Sequence, residues 1–459
     1  MPMNNNHQSQ STPASASLSD VQPVSRPVTR RSFLGTSFGG LAALAALPKA
    51  AARTVEGGGR KRVLLANCWH DINIGDIAHG PGMLRLLEQY LPDADVTLWP
   101  NPTYPELAAQ MHWNIAVQKM IQAAFPKVAL LPPLGMNNGR ANEPELIAAI
   151  ERSDLLIVGS GGFHQTPAQV WRAASRKPFG AYGVSISEKE RHPDWYSEAA
   201  FLFGRSTPVV DFIKKGGVAG PAVEFGPDST FGLHLRDDLR AGHYLRKVGL
   251  KDKEFICVIP RLRHSPYPEI YNYPASEGEV KRAKDNAEFK QEDHAAARGM
   301  IVNWVRTTKL KVLACPEMTY GVPLSKEALI DPLPSDVRPH VVWRDSFWLC
   351  DEAASVFARS LAVVSLDCHS PIIALATGTP AIHLRLPTDD KFKSRMFADI
   401  GLPEWIQENS DMTSGRLTSL VMDIHHDRRA AEKKVADAME FVRQRQSATM
   451  ATVKKVLYG

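Results

Sequence analysis

Arg62-Val63-Leu64-Leu65-Ala66-Asn67 is an unbroken apolar run of strand length, closed by a polar residue at each end. A strand without in/out alternation is buried on both faces, as in a parallel sheet. Downstream comes a polar loop and then a helical apolar face, Met83, Leu84, Leu87, Tyr90 and Leu91. The same unit recurs along the chain. Further strands are expected at 96–99, 128–131, 154–158, 180–184, 200–203 and 223–225, with helices at 106–124 and 143–152. After a charged stretch at 236–253 a second series begins. Its expected strands are 255–259, 311–314, 361–365 and, as the last, 381–384; its helices are 294–307, 347–359 and 370–377. Strands alternating with helices imply right-handed βαβ units and mostly parallel sheets. The expected class is α/β, with two Rossmann-like doubly wound domains facing a cleft. Such sheets bind ligands beyond the carboxyl ends of their strands.

Length and composition agree. The 459 residues exceed what one ordinary core holds. We expect an N-terminal segment at 1–52, domains at 53–240 and 241–410, and a polar helical segment at 411–459. An apolar fraction of 44% with 22% charged residues excludes wholesale disorder. The formal charge is +5. Arg26, Arg30, Arg31 and Lys49 against Asp20 concentrate most of it ahead of residue 53. A nearly neutral body gives no electrostatic ground for a nucleic-acid partner or a polybasic membrane binder. Five cysteines without a C-x-x-C pair form neither a disulfide scaffold nor a structural zinc motif.

The front segment reads as an address. Residues 1–28 are rich in Ser, Asn, Gln and Pro; Thr29-Arg30-Arg31-Ser32-Phe33-Leu34 follows, then a mildly apolar run to Leu47 and Ala50-Ala51-Ala52. Basic, apolar and small-residue regions in that order make a signal peptide, and the paired arginines make it twin-arginine in type. The expected location is periplasmic or otherwise extracytoplasmic, reached through the twin-arginine export machinery. No apolar run is long enough for a membrane span in the mature chain.

Strand-end loops carry the candidate chemistry. In the first, Asn73-Ile74-Gly75-Asp76, Gly75 permits a tight backbone and Asp76 is a candidate helix cap; a plain βα turn is the alternative. Gly159-Ser160-Gly161-Gly162 lacks the G-x-G-x-x-G spacing of a nucleotide fingerprint, so Gly161 and Gly162 read as places of close backbone approach. The third loop is Asp367-Cys368-His369-Ser370-Pro371. His369 at a helix N-terminus faces a positive dipole end, which is expected to lower its pKa and suit proton exchange near neutral pH; a structural role is the alternative. Neighbours at a strand end tend to point apart, which argues against a Cys368–His369 dyad. Asp367, His369 and His383 match no metal-ligand spacing, and no metal is expected.

Taken together, these loops resemble those of the polysaccharide pyruvyl transferases. The likeness spans roughly residues 61–405. It includes N-x-G-D at 73–76, the segment Ser153-Asp154-Leu155-Leu156-Ile157-Val158-Gly159-Ser160-Gly161-Gly162, and Asp367-Cys368-His369-Ser370 through Gly378-Thr379-Pro380. Lys391 and Gly401-Leu402 match the closing pattern. Ser160 departs from an all-glycine run, and Asp367 stands where the family has Arg. The resemblance implies the two-domain GT-B architecture, phosphoenolpyruvate as donor substrate with no other cofactor, and a ketal-linked pyruvate on a sugar of a cell-surface or exported polysaccharide.

That chemistry needs cations for a phosphate and a carboxylate. Arg261, Arg263 and Lys391 follow strands of the second series and are candidates, with plain surface cations as the alternative. Ketal formation also needs proton transfer. His369 is the expected proton-transfer group, Asp76 a hydroxyl-orienting base, and Glu317 a reserve carboxylate or a solvent-exposed turn acid. Asn73, Gly75 and Ser370 complete the expected substrate-binding set. The loop from His264 to Pro274 carries Tyr267, Tyr271 and Tyr273, which read as sugar platforms or as packing; Trp69 and His70 are weaker acceptor-side candidates. Phosphoenolpyruvate is a cytoplasmic metabolite, whereas the front segment directs export. Two other readings therefore stand beside pyruvyl transfer: an exported glycosyltransferase-like enzyme with another donor, and a non-catalytic glycan-binding protein of the same fold.

Overall fold

The computed structural model describes residues 59–69, 71–102, 115–132, 136–137, 140–141, 143–162, 165–186, 196–390 and 395–459. The 1–52 segment, with its export signal, lies outside the described residues, as do His70 and Lys391.

Seven strands of the first half, in chain order, are β1 (Arg62–Trp69), β2 (Asp95–Pro102), β3 (Ala129–Leu130), β4 (Leu155–Val158), β5 (Phe179–Ser185), β6 (Phe201–Gly204) and β7 (Ala222–Phe225). They form a sheet in the order β7-β6-β5-β4-β1-β2-β3, with Gly161–Gly162 pairing beside the end of β5. Every pairing in it is parallel; β1 lies between β2 and β4 with Val63 opposite both Val96 and Leu155. Helix α1 (Ile74–Tyr90) crosses from β1 to β2. Val63 and Leu65 face one core, Leu64 and Ala66 the other, so both faces of the sheet are covered.

The second sheet contains β8 (Phe255–Ile259), β9 (Lys311–Ala314), β10 (Val341–Trp343), β11 (Ala362–Ser365), β12 (Ala381–Arg385) and β13 (Ile406–Glu408) in the order β10-β9-β8-β11-β12-β13, again all parallel. Helix α2 (Glu277–Asp293) follows β8, and helix α3 (His369–Ala376) joins β11 to β12. The strand expected to be last is not: β13 follows it. Two short edge strands, α2 and the helices Gln165–Ala174, Thr207–Lys215 and Asp238–Val248 escaped the sequence reading. Helix α2 buries only Asn286 and Asp293, so it has no apolar stripe. Its one signature is the capping box between Ser276 and Glu279. The boundary expected at 240/241 falls inside a helix, Asp238–Val248, that packs on the Cys350–Arg359 helix of the second half.

The last helix, α4 (Arg428–Tyr458), is polar along most of its surface but buries a stripe from Ala431 to Leu457. It returns to the first sheet, where Thr449 Oγ1 meets Tyr182 Oη at 3.1 Å and Arg445 pairs with Glu224 at 2.9 Å. Among the described residues no helix is long and apolar enough to cross a membrane.

In each sheet the chain runs outward one way, then restarts beside its first strand. The two reversal points lie between β1 and β4 and between β8 and β11. The strand-end loops of the candidate chemistry leave these strands and β9, which explains why they meet.

Candidate active site

Asn73 caps α1: its Oδ1 accepts the Gly75 N–H at 2.7 Å. Asp76, expected as the cap, sits instead in the first turn, because Asn73 holds the extended backbone a cap requires. The loop then joins the second half through main-chain bonds. Ile74 N–H donates to the Glu317 carbonyl at 3.0 Å, Thr319 N–H donates to that of Ile72 at 2.9 Å, and Asn73 bridges to Met318.

Glu317 is fully buried, not a turn acid in solvent. Its carboxylate lies across the N-terminus of α3, accepting the Ser370 N–H at 2.6 Å and the His369 N–H at 3.3 Å, with His369 Nδ1 also at 3.3 Å. Burial opposes its ionisation, but the bonds from His369 and Ser370 outweigh it and hold the carboxyl below its ordinary range. Burial likewise opposes the His369 imidazolium. Cys368 and Glu317 beside Nδ1 outweigh that cost, so His369 holds its proton well above the ordinary histidine range, the reverse of the lowering expected from the helix N-terminus.

The far side of His369 meets a residue the sequence reading passed over. His79, one turn into α1, brings its Nε2 to 3.2 Å from His369 Nε2, the rings edge to face at 80°. His79 Nε2 is also 3.4 Å from Asp228 Oδ1, just beyond β7. Asp228 is clamped in turn. Arg205 Nη1 donates to its Oδ2 at 2.9 Å, the Thr230 N–H to its Oδ1 at 2.9 Å, and Arg205 Nε donates to Ser185 Oγ at 2.6 Å. Burial would raise the Asp228 carboxyl, but His79, Arg205 and His369 hold it well below the carboxylate range.

Two glycines make room for the two rings. A β-carbon on Gly75 would stand 2.2 Å from Cγ and Nδ1 of His369. At Gly161, with φ of +108°, it would stand 3.0 Å from Cε1 of His79. Ser160 is engaged on both sides, its Oγ donating to the Gly183 carbonyl at 2.8 Å and accepting the Ser229 N–H at 3.1 Å. It thereby ties the glycine turn to the segment that carries Asp228. Gly162, beside it, is exposed.

The expected cations are placed differently. Arg261 pairs with Asp389 and lies 3.8 Å from Asp367, the residue that replaces the family's arginine. Burial and nearby Glu317 push the Asp367 carboxyl up to about 7. Arg263 does not reach the site. Asp293 grips it at 2.8 and 3.0 Å, and its guanidinium lies 3.6 Å over the Phe289 ring, both residues of α2. Tyr271 is buried and stacks with Tyr267 at 6.2 Å within a short helix, while Tyr273 Oη donates to Glu279 at 2.6 Å. These bonds explain packing rather than an open platform for Tyr271 and Tyr273. Beside them an open groove of about 410 Å³ is lined by Ile72, Pro266, Glu269, Ile270, Thr319 and Tyr320. Cys368 and His369 do not point apart: at the start of α3 the chain folds back and sets Cys368 Sγ 3.6 Å from His369 Nδ1.

The donor atoms of His79, Asp228 and His369 lie within 4.8 Å of one another, as do those of Glu317, Asp367, Cys368 and His369. These are the residues that have the reach to hold a divalent ion, and His369 belongs to both groups. The cysteines at 257, 315, 350 and 368 are buried free thiols. His79, Arg205 and Asp228 had one legible signal. Arg205 and Asp228 follow the carboxyl ends of β6 and β7, and His79 sits one helical turn after Gly75.

Solved structures share this architecture. A 2.2 Å crystal structure of a putative UDP-N-acetylglucosamine 2-epimerase from Listeria monocytogenes is similar with a TM-score of 0.54 at 11% identity, over 86% of this chain and 96% of that one. The MnaA–UDP co-structure from S. aureus gives 0.50 at 10% identity, over 82% and 91%. E. coli ADP-heptose LPS heptosyltransferase II gives 0.43 at 13% identity, over 80% and 99%. At such identities the likeness to the first two speaks for the shared two-domain fold alone. No curated protein shows significant sequence similarity to this chain. The family model described as polysaccharide pyruvyl transferase matches residues 73–386, which take in the Asn73 loop, the Ser160 turn, Glu317 and His369. The chain belongs to the polysaccharide pyruvyl transferase family.

Proposed function

We propose that the chain transfers the pyruvyl group of phosphoenolpyruvate to two hydroxyls of one sugar in a glycan, forming a ketal and releasing phosphate. One observation carries the reading. The N-x-G-D loop and the His369 helix, from opposite halves of the chain, converge on one buried residue, Glu317. That convergence fixes the orientation of a protonated imidazole at the place where both domains contribute.

The steps balance with the residues present. His369 gives a proton to the methylene carbon of the enol, which becomes the methyl group. The first sugar oxygen bonds to the central carbon, its proton passing to Asp76. The carbon–oxygen bond to phosphate then breaks with its electron pair. The second sugar oxygen takes that place, and its proton restores His369. The proton on Asp76 leaves with phosphate. Glu317 keeps Nδ1 of His369 engaged, and Nε2, which meets His79 in the resting protein, is the exchanging atom once substrate is bound. The residue at 367 is an acid paired with Arg261, so the imidazolium of His369 is the cation that meets the acidic donor. The front segment adds export by the twin-arginine route, which makes an envelope or secreted glycan the acceptor.

The test is incubation of the purified protein with phosphoenolpyruvate and a panel of glycans bearing free diols. The reading predicts a ketal methyl signal by proton NMR in step with inorganic phosphate. Phosphate release without ketal would assign a hydrolase. Neither product with any glycan would favour the glycan-binding alternative.

A further inference from the structure

We propose that the acceptor glycan lies along α2. Its outer sugars are held in a cleft between that helix and the loop from His264 to Pro274, and its reacting sugar passes Ile72 and Thr319. Calling the occupant an acceptor rests on the pyruvyl-transfer reading; that the cleft takes a neutral glycan does not.

Glu279, Arg282, Ala283, Asn286, Ala287 and Lys290 fall three or four residues apart along α2, so they share one face of it. That face lines a cleft of about 350 Å³, within the range of small-molecule sites. Ala283 and Ala287 stand at its middle and are exposed, so the hollow stays open where larger side chains would close it. The walls are tied in place. Asn286 Oδ1 accepts the His264 N–H at 3.0 Å, and its Nδ2 donates to the His264 carbonyl at 2.8 Å. Tyr273 Oη donates to Glu279 at 2.6 Å, joining the loop to the helix. The tyrosines of this loop thus brace a wall instead of forming the platform, and a braced wall spares a ligand the cost of ordering it.

The cleft continues into the site. It shares Pro266, Glu269 and Tyr320 with the groove of about 410 Å³ that Ile72 and Thr319 also line. There the Thr319 N–H donates to the Ile72 carbonyl, and the next residues inward are Asn73 and Met318, then Glu317. One path therefore leads from α2 to the joint at which both halves meet.

Charge selects the occupant. Glu269, Glu279 and Glu327 outnumber Arg282 and Lys290 along the cleft, and Lys290 is already paired with Glu327. A cleft without net positive charge does not draw a phosphate and a carboxylate, so phosphoenolpyruvate is not its ligand. A neutral sugar chain has apolar C–H faces and hydroxyl edges. Pro268, Pro323, Leu324 and the Tyr320 ring suit the faces. Glu269 and Arg282, whose side chains make no hydrogen bond or ion pair among the described residues, suit the hydroxyls.

The test is calorimetric titration of the full chain with a panel of neutral oligosaccharides of increasing length, without phosphoenolpyruvate. Affinity is expected to rise from monosaccharide to trisaccharide. It should fall by about 10-fold or more in Ala283→Trp and in Ala287→Trp, whose indoles fill the cleft. Both positions are exposed, so the fold persists. Lys284→Trp, exposed on α2 but outside the cleft, should bind as the wild type does. No neutral glycan binding to the folded wild type would overturn the proposal. So would glycan binding that Ala283→Trp and Ala287→Trp leave unchanged, or phosphoenolpyruvate binding that they weaken. In the transfer assay these variants should raise the KM of the acceptor by about 10-fold or more, with that of phosphoenolpyruvate within about twofold. Cleft-dependent glycan binding without ketal formation by the wild type would sink the pyruvyl-transfer reading and leave the cleft standing. Ketal formation with an unchanged acceptor KM in both variants would do the reverse.

Discussion

The imidazole of His369 rests on the bare α-carbon of Gly75, and the two residues come from different halves of the chain. A methyl group there would stand 2.2 Å from ring atoms that are themselves held by Glu317 and His79. The helix and the ring cannot both stay in place.

Gly75→Ala is accordingly expected to destabilise the protein by about 1–3 kcal/mol, the usual range for overpacking, and to abolish transfer. Gly278 in α2 is the control, since a β-carbon there meets nothing within 4 Å. Gly278→Ala should leave activity intact and stabilise by up to about 1 kcal/mol through helix propensity. Thermal and denaturant unfolding of both variants checks the contrast.

Arg205→Met removes the cation facing Asp228, with both side chains 1% or less exposed. Leaving a buried carboxylate unanswered costs about 3–5 kcal/mol. Arg172 pairs with Glu198 at the surface, where screening and side-chain entropy leave about 1 kcal/mol or less. Urea unfolding of Arg205→Met and Arg172→Ala should differ by that margin.

His294 gives the pH prediction. Its Nδ1–H donates to the Lys290 carbonyl at 2.6 Å, and its Nε2 accepts the Arg261 N–H at 3.3 Å. Burial pushes its pKa down to about 4. The folded state therefore favours the neutral ring. Its stability is full above the unfolded value of about 6.5 and is lost as pH falls from there towards about 4. Asp367, pushed up to about 7 from an unfolded value of about 3.9, acts in the opposite sense across this range. The informative quantity is the difference between wild type and His294→Gln, whose Tm should fall less steeply between about pH 6.5 and 4.

The parallel strands were legible because burial on both faces writes continuous apolar runs, as in Phe255–Ile259. Helix α2 was not, since its exposed polar surface carries no apolar period. The same physics divides the site. Asn73, Gly75 and His369 stand in short motifs at strand ends, where spacing is informative. His79 lies inside a helix whose burial on many sides hides which contact matters, and the Asp228–Ser229 turn that meets it is 150 residues further along the chain at Ser229. Arg263 misled because its acidic partners sit on the unrecognised α2.

Glu317→Gln keeps an acceptor for the Ser370 N–H but removes the charge facing His369. It should lower kcat by about 10²-fold while the fold persists. Circular dichroism with steady-state kinetics separates that outcome from unfolding.

Calorimetric titration of phosphoenolpyruvate into the full chain, with and without an acceptor glycan, bears most directly on pyruvyl transfer at this site. Saturable binding is expected, weakened by His369→Gln by about 10-fold or more, the worth of one hydrogen bond to a charged group. A folded wild type that shows no saturable heat under either condition, or a variant that binds as tightly, would contradict it.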